Sequence, residues 1–348
     1  MSTGYLYEPL PDIESGRRLH LNEHTGGCSP AVLRAIRRLT REDISAYPAY
    51  ARATDRCAAA LGVAADAVLL TNGLDEGILT AALAWLPRDG APAQAVVVEP
   101  AYGMFGPSAR LAGARVVPTT PPPGLGFELD AVRAAITPAT RLVLLASPNN
   151  PTGAVVPAAD IRALAAAMPS GGAVFVDEAY ADFEGHSVVA DVARTPNLVV
   201  GRTFAKAYGL AGMRIGCLVA QPAVIRQLRG AIAPFSVNVF AAAALEAALA
   251  DRGHVEWYIG QVRASRELLY DACTRLGLPF WRSAANFVLV RVGEAAGVRA
   301  ALAARGIHVR DRSAASGCEG CIRITAGLVD DTKACVVALE EVVCAVRR

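Results

Sequence analysis

The chain carries 32 arginines but only two lysines, and one of the lysines stands where a primary amine is required. Lys333 lies in the amphipathic stretch Asp330-Asp331-Thr332-Lys333 and reads as a solvated helix residue. Lys206 lies in Gly201-Arg202-Thr203-Phe204-Ala205-Lys206-Ala207-Tyr208-Gly209-Leu210-Ala211-Gly212-Met213-Arg214, a run of small residues after an apolar stretch. A composition that uses Arg nearly everywhere keeps Lys where Arg cannot replace it. Imine formation with a carbonyl is such a place, because a guanidinium stays protonated and is a poor nucleophile. Eight residues on, Arg214 offers a planar fork that pairs bidentately with a phosphate.

Other polar residues recur at the ends of apolar runs. Thr71-Asn72-Gly73-Leu74-Asp75-Glu76 opens a helix, whose free N–H groups make either an anion site or an ordinary capped start. Tyr102, in Glu99-Pro100-Ala101-Tyr102, either stacks on a flat ring or packs in the core. In Ser147-Pro148-Asn149-Asn150-Pro151-Thr152-Gly153, two prolines and a glycine fix the loop, and an X-Pro bond here can be cis. A tight polar turn explains the Pro and Gly but not the paired asparagines; Asn150 brings both a donor and an acceptor. Asp177-Glu178-Ala179-Tyr180 ends an apolar run, and a carboxylate there needs a partner. A protonated pyridine nitrogen is one candidate, with Tyr180 near a ring hydroxyl; helix capping by Asp177 is the other.

The elements that position these residues alternate. Strands are expected at Val68 to Thr71, Ala95 to Val98, Arg115 to Val117, Arg141 to Leu145, Ala173 to Val176, Leu198 to Val200 and Ile215 to Val219. Most are apolar on both faces, as strands between helical layers should be. Ser29-Pro30 and Val156-Pro157 open helices with Pro in the first turn. Such alternation predicts an α/β sandwich with a mostly parallel sheet, whose ligands bind at the carboxyl ends of the strands. After about residue 235 the pattern changes. Helices at Val239 to Ala250 and Val255 to Leu276 precede strands at Asn286 to Arg291 and Cys321 to Thr325 and a last helix. The expected division is an N-terminal arm and first helix over 1–40 that pack with the small domain, a large domain over 41–238, and a small α+β domain over 239–348.

Composition narrows the partners. A net charge of +2 over 348 residues argues against nucleic acid or an anionic membrane, and no apolar run is long enough to span a bilayer. The N-terminus lacks a basic region followed by an apolar one, so a cytoplasmic protein is expected. The five histidines (His20, His24, His186, His254, His308) lack ligand spacing. Cys318-Glu319-Gly320-Cys321 lacks the second pair of a zinc site and the βαβ context of a redox motif; two reduced thiols at a strand start and no metal are expected.

Taken together, these motifs resemble one family, the class I/II aminotransferases of PLP fold type I, and within it the histidinol-phosphate aminotransferase branch. The resemblance rests on Leu21-Asn22-Glu23, Tyr47-Pro48, Asn72 to Glu76, Tyr102, Ser147 to Gly153, Asp177 to Tyr180, Thr203 to Lys206, Gly209 to Arg214, Ala285-Asn286-Phe287 and Ile322-Arg323-Ile324-Thr325-Ala326-Gly327, and so covers nearly the whole chain. It implies a three-layer α/β/α large domain with a mostly parallel seven-stranded sheet and a smaller α+β domain. It implies pyridoxal 5′-phosphate on Lys206 as a Schiff base, with Asp177 on the pyridine nitrogen, Asn150 and Tyr180 on the ring oxygen and Tyr102 stacked on the ring. Leu74, Asp75, Thr203 and Arg214 would hold the cofactor phosphate, with Tyr47 contributed by the partner of a homodimer. Arg323 would clamp the substrate carboxylate, Arg310 the distal phosphate, and Asn22 would lie by the substrate. The implied reaction exchanges an amino group between histidinol phosphate and 2-oxoglutarate.

Three positions depart from the family pattern. Leu74 stands where a small or hydroxylated residue is usual, Ala205 where Ser is common, and His24-Thr25 where Asn-Pro is usual. Aromatic amino acid transamination and decarboxylation of a phosphorylated amino acid share the same motifs. A non-catalytic regulator would carry a basic helix-turn-helix ahead of the arm, and a nicotinamide dehydrogenase a Gly-x-Gly-x-x-Gly after the first strand; neither pattern occurs.

Overall fold

The computed structural model describes residue 13, residues 15–86 and residues 93–346. Seven strands form one sheet in the spatial order Val68–Thr71, Gly216–Val219, Leu198–Thr203, Ala173–Asp177, Thr140–Ala146, Gln94–Val97 and Arg115–Pro118. All run parallel except Gly216–Val219, which is antiparallel to both neighbours. All seven expected strands are present; Val68–Thr71 has its expected bounds, and the other six differ by one to three residues at an end.

Two-residue alternation along these strands divides the core into two layers. Leu142, Leu144 and Phe175 pack on one face with Ile78 and Ala81 of the helix Gly73–Trp85. Val143, Leu145, Val174 and Val176 pack on the other with Ile161 and Leu164 of the helix Ala158–Ala167. Buried on both sides, the parallel strands read as unbroken apolar runs, and only their ends carry polar chemistry.

A second sheet of four short strands has the order Arg310–Asp311, Cys321–Thr325, Phe287–Arg291 and Phe280–Trp281, all antiparallel. The N-terminal strand Arg17–Arg18 pairs in parallel with Ile307–His308, which ties the arm to this part of the chain. The first helix, Pro30–Ile36, is capped by the Ser29 hydroxyl and buries Val32 in the second layer of the large sheet. The helix Val239–Ala250, expected to open the small domain, buries Ala241, Ala244 and Leu245 in that same layer. The next helix, Arg252–Leu276, starts one turn earlier than its apolar pattern suggests because Asp251 accepts the His254 N–H as its cap. Likewise Pro157 sits at the cap of its helix rather than in the first turn. No helix among the described residues is long and apolar enough to cross a membrane.

Candidate active site

The carboxyl ends of the large-sheet strands surround one cavity. Leu74, Asp75, Tyr102, Ala146, Asn150, Asp177, Ala179, Tyr180, Thr203, Ala205, Lys206 and Arg214 line it, enclosing about 520 Å³ of space including the open mouth. Nine of the thirteen residues singled out in the sequence therefore meet here. Of the other four, Arg323 and Asn22 adjoin it through hydrogen bonds. Arg323 donates to the Asn150 side-chain oxygen, and Asn22 to the Tyr180 phenol. Arg310 faces Arg323 directly across the ladder of the small sheet. Tyr47 lies elsewhere on the chain, 80% exposed and stacked on Phe235 at 4.5 Å between ring centroids.

Each side chain is aimed by its element. Asp177 is the last residue of a buried strand, so its carboxyl emerges at the cavity floor, accepting the Ala179 N–H at 2.8 Å. Burial pushes its pKa up to about 7; the Ala179 bond and the charge of Lys206 oppose the shift, while Asp75 and Glu178 add to it. Lys206 follows the neighbouring strand, and its Nζ donates to the Leu21 carbonyl at 3.0 Å and lies 5.9 Å from the centre of the Tyr180 ring. Asn149 and Asn150 divide the loop's work. Asn149 braces it by donating to the Pro100 carbonyl at 3.0 Å and to Thr152 at 3.1 Å, which frees Asn150 to face the cavity. The Ser147-Pro148 and Asn150-Pro151 bonds are both cis.

At the rim, Tyr102 donates to Asp75 at 2.8 Å, and Arg214 approaches the other Asp75 oxygen at 3.5 Å. Arg214 holds a left-handed backbone (φ 52), which directs its guanidinium over the start of the helix Gly73–Trp85. A Cβ on Gly73 would meet that guanidinium at 2.6 Å, so only glycine admits the contact. The Leu74 side chain turns away from the cavity into the sheet, where a Cβ on Gly201 would meet it at 2.6 Å. What Leu74 presents to the cavity is therefore its backbone.

The residues fit the flat, phosphorylated aldehyde that the resemblance implies. Helix-start N–H groups, the Thr203 hydroxyl and Arg214 stand at one side of the cavity, where together they would suit an anion, and Gly73 leaves that side open. Asp177 is a buried carboxyl with no cationic hydrogen-bond partner among the described residues, a deficit that a protonated ring nitrogen would fill. Lys206 supplies an amine in the same cavity.

Sequence reasoning missed the small residues Ala146 and Ala179, whose size makes the room and whose signal is only their place beside polar neighbours. It also missed Arg312. No described residue pairs with the Arg312 guanidinium, whose Nε is buried, and its charge acts on Tyr180, Glu99 and Arg310. Among the described residues no three His, Cys, Asp or Glu side chains gather as a metal site. The described cysteines are all free, and Cys318 and Cys321 are buried at the start of a strand.

The fold and this cavity define a transaminase: the chain belongs to the family described as aminotransferase class I and II, whose profile matches residues 15–338. It is 41% identical over 289 residues to histidinol-phosphate aminotransferase 1 of Cupriavidus pinatubonensis, covering 80% of this chain and 75% of that one. It is 37% identical to the histidinol-phosphate aminotransferase of Symbiobacterium thermophilum, covering 96% of this chain and 94% of that one. The structure superposes with a TM-score of 0.83 and 28% identity on the Sinorhizobium meliloti histidinol-phosphate aminotransferase in complex with pyridoxal 5′-phosphate, over 95% and 92% of the two chains.

Proposed function

We propose that this aminotransferase uses pyridoxal 5′-phosphate to exchange an amino group between histidinol phosphate and 2-oxoglutarate. The observation that carries the reading is the convergence of Lys206, Asp177 and Arg214 on one cavity. Histidinol phosphate is favoured by the names of the relatives and by Arg310, whose guanidinium has no partner among the described residues and stands opposite Arg323.

The bound cofactor would supply an aldehyde for amines and a ring that accepts electron density. Lys206 is the group placed to form the covalent link and, between links, to carry a proton at Nζ. Asp177 would hold a positive ring nitrogen, and the pairing would relieve the cost of its burial. Thr203, Arg214 and the amides of Leu74 and Asp75 would anchor the phosphate. Asn150 and Tyr180 would meet the ring oxygen while Tyr102 packs on the ring. Arg323 presents a fork to a carboxylate, and Arg310 a second cation to the distal phosphate.

The reading further places the enzyme in the cytoplasm as a homodimer. Reduced, mostly buried cysteines favour the first, and the exposed Tyr47–Phe235 pair the second. The reading also draws the boundary between large and small domains near residue 250, which the packing of Ala241, Ala244 and Leu245 in the second layer of the large sheet supports.

A screen of amino donors with 2-oxoglutarate tests the substrate: histidinol phosphate should outperform phenylalanine and tyrosine. Preference for an aromatic amino acid would favour an aromatic aminotransferase, and carbon dioxide release a decarboxylase. Lys206→Ala should lose both turnover and the visible absorbance of bound cofactor. A variant that kept both would end the assignment.

A further inference from the structure

Asn22 lies in the segment that passes between the two sheets, 1% exposed, and all of its polar groups are used within the protein. Its N–H donates to Thr325 Oγ1 at 3.1 Å, and its carbonyl accepts from Asn286 Nδ2 at 3.1 Å. Its side-chain oxygen accepts from Thr325 Oγ1 at 3.1 Å, and its side-chain nitrogen donates to Tyr180 Oη at 3.0 Å. The backbone is left-handed (φ 57), a conformation that Asn adopts more readily than most side chains.

The count of protons fixes which way the amide faces. Thr325 is fully buried, its oxygen already accepts the Asn22 N–H, and its single hydroxyl proton has the Asn22 oxygen as its acceptor. Turning the amide over would aim two donors at that hydroxyl and leave its own proton unpaired in a buried place. A buried polar group left unpaired is strongly disfavoured. The amide nitrogen therefore faces Tyr180, and the phenol oxygen is an acceptor on that side. Tyr180 keeps its own proton to give elsewhere, and its ring lines the cavity that holds Lys206.

We propose that Asn22 is a positioning residue that sets Tyr180 as a hydrogen-bond donor into the cavity, and is not itself a substrate contact. The inference rests on the reading that the cavity binds pyridoxal phosphate. A phenol that donates to the cofactor's ring oxygen stabilises negative charge there. That lowers the proton affinity of the neighbouring nitrogen linked to Lys206.

The test is the pH midpoint of the visible absorbance of the cofactor-loaded protein, recorded for the wild type, Asn22→Asp, Thr325→Val, Tyr180→Phe and the double variant Asn22→Asp/Tyr180→Phe. In Asn22→Asp a carboxylate oxygen takes the phenol proton. In Thr325→Val the freed amide can turn and do the same. Both should raise the midpoint by about one pH unit, in the direction of Tyr180→Phe. Asn22→Asp should add nothing in the Tyr180→Phe background. A shift that persists in that background overturns the proposal, because Asn22 would then act by another route. Unmoved midpoints in both Asn22→Asp and Thr325→Val also overturn it, and if Asn22→Asp does not fold, Thr325→Val decides. A wild type with no visible band at all overturns the cofactor reading and this inference together, whereas a band present but unmoved overturns the inference alone.

Discussion

Arg323 spans the gap between the two sheets: its Nη1 donates to the Asn150 side-chain oxygen at 2.6 Å, and its Nη2 donates to the His20 carbonyl at 2.8 Å. Asn150 is at once a cavity wall and the anchor of this guanidinium. Burial draws the Arg323 pKa down to about 10, while its Nε has no partner among the described residues. A buried cation with an unused donor suits an incoming carboxylate.

Arg323→Lys keeps the charge and loses the fork. We expect KM for the 2-oxo acid to rise about 10- to 100-fold, the value of one or two charge-assisted bonds, with the cofactor's absorbance unchanged. Steady-state kinetics beside a spectrum of the loaded protein check this. An unchanged KM would remove Arg323 from the substrate site.

Asp177 should make the cofactor-free protein sensitive to pH. Its carboxyl titrates near pH 7 in the folded chain against 3.8 as a free side chain. Between those values the unfolded chain releases its proton first, so stability falls as pH rises and levels off above about 7. Asp177→Asn removes the effect. The stripped variant should match the wild type near pH 4 and exceed it at pH 8 by about 1–3 kcal/mol, while turnover drops sharply. Urea unfolding at the two pH values measures the difference. Equal stability at pH 8 would mean that the carboxyl is not penalised by burial.

The large sheet was legible because its strands are buried on both faces and read as apolar runs between helices. The cavity was legible because polar residues that end such strands, such as Asp177 and Thr203, share one edge of the sheet. Packing partners far apart in sequence were not legible. Leu74 reads as a departure until Gly201, on the strand Leu198–Thr203, is seen beneath its side chain. The helix Val239–Ala250 reads as the start of a new domain because its own pattern cannot say which layer it covers. Asn22 reads as a substrate contact, while its hydrogen bonds reach residues 158 and 303 positions away.

Gly201→Ala tests the fit between Leu74 and the sheet. The added methyl would press on Leu74 and on Phe175, at 2.6 and 2.8 Å. Displacing the Leu74 side chain would press on the start of the helix Gly73–Trp85, and so on the cavity edge that its amides form. We expect a loss of about 1–3 kcal/mol in stability and weaker cofactor retention. Gly201→Ala/Leu74→Ala removes the closer of the two contacts and should recover part of the retention. Dialysis against phosphate followed by absorbance measures it, and a failure of the double variant to recover would place the defect elsewhere.

His24 governs a different pH window. It is 8% exposed and stacks on Tyr258 with ring centroids 3.3 Å apart and on His254 at 5.3 Å, and neither ring nitrogen has a hydrogen-bond partner among the described residues. Burial, reinforced by the charge of His254, lowers its pKa to about 3. An unfolded histidine takes up its proton near pH 6.5, so the unfolded state binds more protons below that value. Stability is whole above about pH 6.5 and is lost as pH falls towards 3. At pH 5 the loss assigned to His24 alone is about 2 kcal/mol. His24→Phe keeps a ring between Tyr258 and His254 and removes two unpaired nitrogens, so the variant should unfold later than the wild type at pH 5. It should gain less at pH 8, where only the unpaired polar atoms count. Thermal unfolding at the two pH values separates these contributions, and an equal gain at both would show that protonation of His24 plays no part.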